Sequence, residues 1–151
     1  MLQQVNQFRD EIMSKEIGTL IIPKKNVIVI RSKWNLEQAL NKLIESGWSS
    51  VPVLNDQNEV EGTISKTLIL EHARLERVPF YHDFQRKLVH DSMQSHVPTL
   101  SEDTLLRYGI ELLVDWPYLP IVNKQKKFSG ILTRRSVLDY LLKVFYEEVN
   151  E

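Results

Sequence analysis

Thr133-Arg134-Arg135 closes an apolar run that opens at Gly130, and the three residue types suit an anion. If a helix starts there, its first turn offers unpaired backbone N–H groups and the positive end of the helix dipole. The hydroxyl adds a donor, and two guanidiniums can fork onto phosphate oxygens. A second group lies upstream, where Trp48-Ser49-Ser50 follows Gly47. An indole can stack on a flat base, and short hydroxyls can read its edge.

Each of these residues also has a plainer reading. Trp48 and Trp116 could plug a core at a helix-to-strand junction. Arg134 and Arg135 could be solvated residues of a helix's first turn, although cations there oppose the dipole. Lys24 and Lys25, after Pro23, read as a solvated turn that could reach a phosphate. The histidines His72, His82, His90 and His96 lack the i, i+4 spacing of a helical metal site with a nearby third ligand, so no metal site is expected. No Gly-x-Ser-x-Gly, glycine-rich phosphate loop or catalytic paired-carboxylate arrangement is recognisable, so catalysis is not expected.

The elements that would position these groups come in duplicate. Sliding the chain by 68 positions lays Val27–Leu70 over Ser95–Leu138 without a gap. In the first copy Trp48-Ser49-Ser50-Val51-Pro52-Val53-Leu54-Asn55 precedes Gly62-Thr63-Ile64-Ser65-Lys66-Thr67-Leu68. In the second, Trp116-Pro117-Tyr118-Leu119-Pro120-Ile121-Val122-Asn123 precedes Gly130-Ile131-Leu132-Thr133-Arg134-Arg135-Ser136. Two copies, fewer than a solenoid needs, suggest a closed pseudo-symmetric pair.

Apolar spacing predicts a helix over residues 2–16, a turn at Pro23 and a strand over 27–30. Asn35 reads as the N-cap of a helix that ends at Gly47. Strands near 51–54 and 60–64 and a helix from about 67 to 76 complete the first copy. The second repeats the order, with a strand near 97–99, a helix over 102–115, strands over 119–122 and 128–132, and a helix from about 135 to 149. Another helix is expected around 84–93.

Composition is that of an ordinary soluble domain: 151 residues, 42% hydrophobic, 26% charged. A net charge of -1 gives no bulk attraction to nucleic acid or an anionic membrane, and neither is expected as a partner. With no cysteine, disulfide and thiol chemistry are excluded. The N-terminus lacks the features of a signal peptide and no apolar run approaches a membrane span, so the expectation is a cytoplasmic protein.

A tandem β-α-β-β-α unit with a hydroxyl residue at the seam between its last strand and last helix resembles the cystathionine-β-synthase (CBS) domain pair, or Bateman module. The resemblance covers residues from about 18 to 145. It implies an α/β (α+β) fold of two pseudo-twofold units, with short sheets flanked by helices. The implied organisation is an N-terminal helix over 1–17, one CBS domain over 18–76, a linker over 77–88 and a second CBS domain over 89–151. With no catalytic domain left over, the resemblance implies a free-standing regulatory module.

Modules of this kind hold ligands in two clefts between the copies. For one cleft the resemblance implies Lys25, Asn26, Val27, Ile28, Trp48, Ser49, Ser50, Val51 and Pro52 facing Thr133, Arg134 and Arg135. The mirror cleft would use Ser65, Lys66, Thr67, His96, Trp116, Pro117 and Tyr118. It is expected to be empty or weaker, because Pro117 removes a donor and Lys66-Thr67 carries one charge where the other turn has two.

The aspartate that holds a ribose in this family falls at Leu68 in the first copy and Ser136 in the second. That weakens ordinary AMP or ATP recognition. The Arg134-Arg135 pair, the Gly47-Trp48-Ser49-Ser50 turn and the linker Leu75-Glu76-Arg77-Val78-Pro79-Phe80 are similar to stand-alone CBS proteins of Gram-positive bacteria that bind cyclic di-AMP. A cyclic dinucleotide has no vicinal ribose diol to grip.

The resemblance thus implies a non-catalytic cyclic di-AMP sensor that acts through a protein partner, with a (p)ppGpp synthetase as candidate. An AMP/ATP energy sensor and a ligand-free dimerisation scaffold are the alternatives. No cofactor beyond the ligand is expected. A homodimer is expected through apolar positions Leu138, Leu141, Leu142 and Phe145 beside the helix over Leu68–Leu75, although Leu141 and Phe145 could equally be core.

Overall fold

A computed structural model describes residues 1–76 and 83–149. In chain order its elements are α1 (Leu2–Ser14), β1 (Ile22–Pro23), β2 (Ile30–Arg31), α2 (Leu36–Ser46), β3 (Ser50–Leu54), β4 (Val60–Ser65), α3 (Lys66–Glu76), α4 (Val89–Ser92), β5 (Gln94–Ser95), α5 (Leu106–Asp115), β6 (Tyr118–Val122), β7 (Phe128–Thr133) and α6 (Arg134–Val149). They form two compact units. Among the described residues, the first-copy unit holds 26–76, 83–97 and 126–128; the second-copy unit holds 1–25, 98–125 and 129–149.

In the first-copy unit the strand order is β2-β3-β4-β5. Strands β3 and β4 form an antiparallel hairpin in which Ser50 faces Ser65 and Pro52 faces Thr63. Successive strand side chains point to opposite faces, so Val51, Val53 and Ile64 enter one core with Leu36, Ala39 and Leu43 of α2 and Ile69 and Ala73 of α3. Asn35 caps α2 in a reciprocal capping box with Gln38. Gly47 ends the helix at φ 74°, a left-handed conformation that costs glycine nothing.

The second-copy unit repeats the plan with strand order β1-β7-β6. Its core joins Leu106 and Leu113 of α5, Leu119 and Ile121 of β6, Leu132 of β7 and Val137 of α6 with Ile12 and Ile17 from the chain's start. Each unit is thus completed by the segment that leads into the other copy. Strand β1 pairs with β7, Pro23 against Gly130. Strand β5 pairs with β4, Ser95 against Gly62. The repeated glycine has its reason here, because a Cβ on Gly62 would overlap Gln94 O and one on Gly130 would overlap Ile22 O.

The gapless alignment of the copies holds only for the hairpins and the helices that follow them. By helix burial, Leu36, Ala39 and Leu43 correspond to Leu106, Gly109 and Leu113, an offset of 70. By strand pairing, Pro23 corresponds to Ser95, an offset of 72. The first copy spends residues on the Lys24–Asn26 3-10 turn, where the second turns at left-handed His96, φ 61°. The second copy, in turn, lacks the left-handed glycine cap and leaves α5 through extended Trp116.

Four expectations about elements are corrected. The strand over 27–30 shrinks to Ile30–Arg31, since only Ile30 and Arg31 find a parallel partner, on Val53 and Leu54. That over 97–99 becomes a single bridge from Leu100 to Ile121. The helix over 102–115 begins at Leu106, because Ser101–Thr104 closes a turn in which the Ser101 hydroxyl binds the Asp103 carboxylate and holds its pKa below the usual range. The helix expected over 84–93 is confined to Val89–Ser92. His82 and residues 77–80 of the linker motif lie outside the described residues.

Candidate functional site

The two groups singled out in the sequence lie in different units. In the first-copy unit, Asn26 is exposed at the end of its 3-10 turn, and Val27, 8% exposed, is mostly buried. Ile28 and Trp48 are half-buried and pack against the first-copy core, which makes Trp48 a core plug in part. The Trp48 N–H is taken by the Ser46 hydroxyl at 3.3 Å. Ser49 is exposed, and its carbonyl accepts the first N–H of α3, from Lys66, at 3.3 Å. The Val51 side chain is wholly core, so only its backbone can meet a ligand. Pro52 is buried on the other sheet face, which it shares with Ser50, Thr63 and Ser65.

Ser50 is half-buried, and its hydroxyl lies 3.0 Å from that of Thr63. Thr63 in turn donates to the Val51 carbonyl at 3.1 Å. Thr63 lies opposite Pro52, on the sheet face that carries the polar side chains.

In the second-copy unit, the Thr133 hydroxyl caps α6 by accepting from Ser136 N at 3.1 Å, and Ser136 Oγ lies 2.9 Å from it. Ser65 caps α3 in the same way, accepting from Leu68 N at 3.0 Å. The repeated hydroxyl therefore has a structural duty in both copies. Arg134 and Arg135 diverge sharply. Arg134 donates from Nε to Leu113 O at 2.7 Å and from its second terminal nitrogen to Val114 O at 3.2 Å, both on the last turn of α5. The Arg135 side chain is 91% exposed and comes no nearer to Asp139 than 3.9 Å. Lys25 belongs to this unit's chain-start segment and is exposed.

Among the described residues, no cluster of histidine and carboxylate side chains could hold a metal ion. None of their helices is long and apolar enough to cross a membrane.

The pattern of the CBS domain matches residues 11–74 and again residues 88–143. The chain belongs to the CBS domain family. As a CBS pair it is 27% identical over 135 residues to cyclic di-AMP receptor B of Bacillus subtilis, covering 89% of this chain and 91% of that one. It is also similar to the CbpB protein of Listeria monocytogenes, whose crystal structure is a complex with c-di-AMP. The identity there is 30% and the TM-score 0.80, covering 87% of this chain and 98% of that one. The structure of CBSX2 in complex with AMP is likewise similar, at 26% identity and a TM-score of 0.72, covering 85% and 97% of the two chains. The chain thus closely resembles the cyclic di-AMP-binding CbpB proteins of Gram-positive bacteria.

Proposed function

We propose that this chain is a non-catalytic regulatory CBS pair that binds cyclic di-AMP. The observation that carries the reading is its likeness, over nearly the full length of both chains, to cyclic di-AMP receptor B and to the c-di-AMP-bound CbpB protein. The family's ribose-holding aspartate is replaced by Leu68 and Ser136, which fits a ligand whose 3′-oxygens are tied into phosphodiesters.

In this reading the candidate residues divide into a base-binding set and a phosphate-binding set. Val27, Ile28 and Trp48 wall a base, Ser49 and Ser50 with the backbone of Val51 and Pro52 read its edge, and Lys25, Asn26, Thr133, Arg134 and Arg135 serve the phosphates. Arg135 carries most of that last duty, because Arg134 spends two donors on Leu113 and Val114. The turn at Ser65, Lys66 and Thr67, with Trp116 and Tyr118, is the weaker site.

The module acts in the cytoplasm as a homodimer on a protein partner, a (p)ppGpp synthetase engaged by the ligand-free form. The apolar side chains on α5 and α6 supply the dimer face: Val114 is 74% exposed, Leu138 58%, Leu142 51% and Phe145 57%.

Thermal unfolding with cyclic di-AMP, AMP, ATP, cyclic di-GMP and S-adenosylmethionine tests the ligand. At a hundredfold excess over Kd, bound ligand adds about 2.7 kcal/mol, a rise in Tm of roughly 5–10 °C for a chain of this size. Cyclic di-AMP should give the largest rise. A rise with AMP or ATP alone would transfer the reading to an energy sensor of the kind the CBSX2 complex suggests. No rise with any compound would leave a dimerisation scaffold.

A further inference from the structure

Gly47, Trp48 and Ser49 join α2 to β3, and the last residue of the helix fastens them. Gly47 turns at φ 74°, and its N–H returns to Leu43 O at 3.1 Å, the bond of a left-handed helix stop. The next N–H goes to a side chain instead: Trp48 donates to Ser46 Oγ at 3.3 Å. The Ser46 hydroxyl in turn donates to Leu43 O at 3.2 Å. Its proton and a lone pair are thus both engaged, and the half-buried serine ties the Trp48 backbone to the last turn of α2.

The turn has open space around it at Gly47, where an added Cβ would meet no atom within 4 Å, and both Gly47 and Ser49 are exposed. On the strand side it is fastened through Ser49 O, which accepts from Lys66 N at 3.3 Å. Ser46 fastens the helix side. In the second copy the helix leaves through Trp116 itself, whose N–H binds Leu112 O at 3.0 Å, and the residue before it is Asp115, which has no hydroxyl.

We propose that Ser46 is a positioning residue for ligand binding: its hydroxyl holds the Gly47-Trp48 turn so that the Trp48 ring is already set to stack on a base when the ligand arrives. A side chain ordered in advance spares the cost of ordering it on binding. The inference rests on the reading of Trp48 as the wall of a cyclic di-AMP base and adds what orients that wall.

Titration calorimetry with cyclic di-AMP on the full chain, with Ser46→Ala and Trp48→Leu made singly and together, tests it. Leucine keeps apolar bulk against the core and removes the flat ring, and thermal unfolding checks the fold of each variant. Trp48→Leu should weaken binding by about tenfold or more, the worth of a base stacked on an aromatic ring. Ser46→Ala should weaken it by about three- to tenfold, the worth of a hydrogen bond. Ser46→Thr keeps a hydroxyl and should restore wild-type affinity. In the Trp48→Leu background, Ser46→Ala should change affinity by less than about twofold, because a residue that acts only through the ring has nothing left to act on. Acrylamide quenching of Trp48 in the ligand-free chain, read with Trp34→Phe and Trp116→Phe in place, follows the ring directly; it should rise in Ser46→Ala and not in Ser46→Thr.

Wild-type affinity in Ser46→Ala or in Trp48→Leu overturns the inference while leaving cyclic di-AMP as the ligand. So does a full Ser46→Ala loss in the Trp48→Leu background, a Ser46→Thr chain as weak as Ser46→Ala, or unchanged Trp48 quenching in Ser46→Ala. A wild-type protein that does not bind cyclic di-AMP overturns the ligand reading itself, and this inference with it.

Discussion

Arg134 Nε lies 2.7 Å from the carbonyl oxygen of Leu113, so the first residue of α6 caps the last turn of α5. The carbonyls of a helix's last turn have no intrahelical partner, and the dipole there is negative, so a guanidinium is well placed. Arg134 reaches Val114 O as well, at 3.2 Å. Arg135, one residue on, has no comparable anchor. Two arginines that look equivalent in the sequence therefore do different work: one joins two helices, the other extends into solvent.

The two arginines should separate on substitution. Arg135→Ala should shift stability by less than about 0.5 kcal/mol and weaken cyclic di-AMP binding by about ten- to a hundredfold, the value of a charge-assisted contact. Arg134→Ala should cost about 1 kcal/mol, because it strips partners from two terminal carbonyls at a partly exposed site. Denaturant midpoints and calorimetry on both variants check this; equal affinity in Arg135→Ala and wild type would remove the phosphate role.

The repeated glycines should be intolerant of the smallest side chain. Gly130→Ala must push β1 off β7, and Gly62→Ala must push β5 off β4, because in each case the added carbon meets a backbone carbonyl. Each should destabilise by about 2 kcal/mol or more, within the range for overpacking. Gly47→Ala meets no atom within 4 Å and should cost less, its penalty being the left-handed φ alone. Urea melts of the three variants provide the comparison, and a Gly130→Ala protein as stable as wild type would refute the close approach.

Ser65→Ala and Thr133→Ala should each cost about 1 kcal/mol, since each removes the side chain that accepts an N–H of the following helix's first turn. Thr67→Ala, an exposed position beside Ser65, should change neither stability nor ligand affinity appreciably. A Thr67→Ala loss of affinity exceeding that of Arg135→Ala would move the ligand to the mirror turn.

If α5 and α6 carry the dimer face, replacing Phe145 with glutamate should yield a monomer with an intact fold. Phe145 is 57% exposed, so the substitution removes little core. Light scattering at micromolar concentration reads the mass directly; a wild-type monomer would remove the dimer.

The duplicated unit, its hairpins, the Asn35 cap and the Gly47 stop were legible in the sequence because they are local. Periodicity, cap chemistry and glycine act over a few residues, and each writes its own signal. The short strands at 22–23 and 94–95 were not legible, since two residues carry no periodicity and acquire strand structure only from a partner more than 30 positions away along the chain. For the same reason the gapless alignment hid the changes of offset, which only pairing and burial expose. At the candidate site, residue types suggested phosphate and base chemistry, and the hydroxyls Ser65 and Thr133 were legible at the starts of their helices. Which arginine is committed to a carbonyl, and which hydroxyl lies beside Ser50, depended on neighbours brought together by folding: Leu113 and Val114 for Arg134, Thr63 for Ser50. Hydrogen-bond commitments of this kind belong to tertiary structure, because a donor's freedom is set by the acceptors within about 3 Å of it and not by its place in the chain.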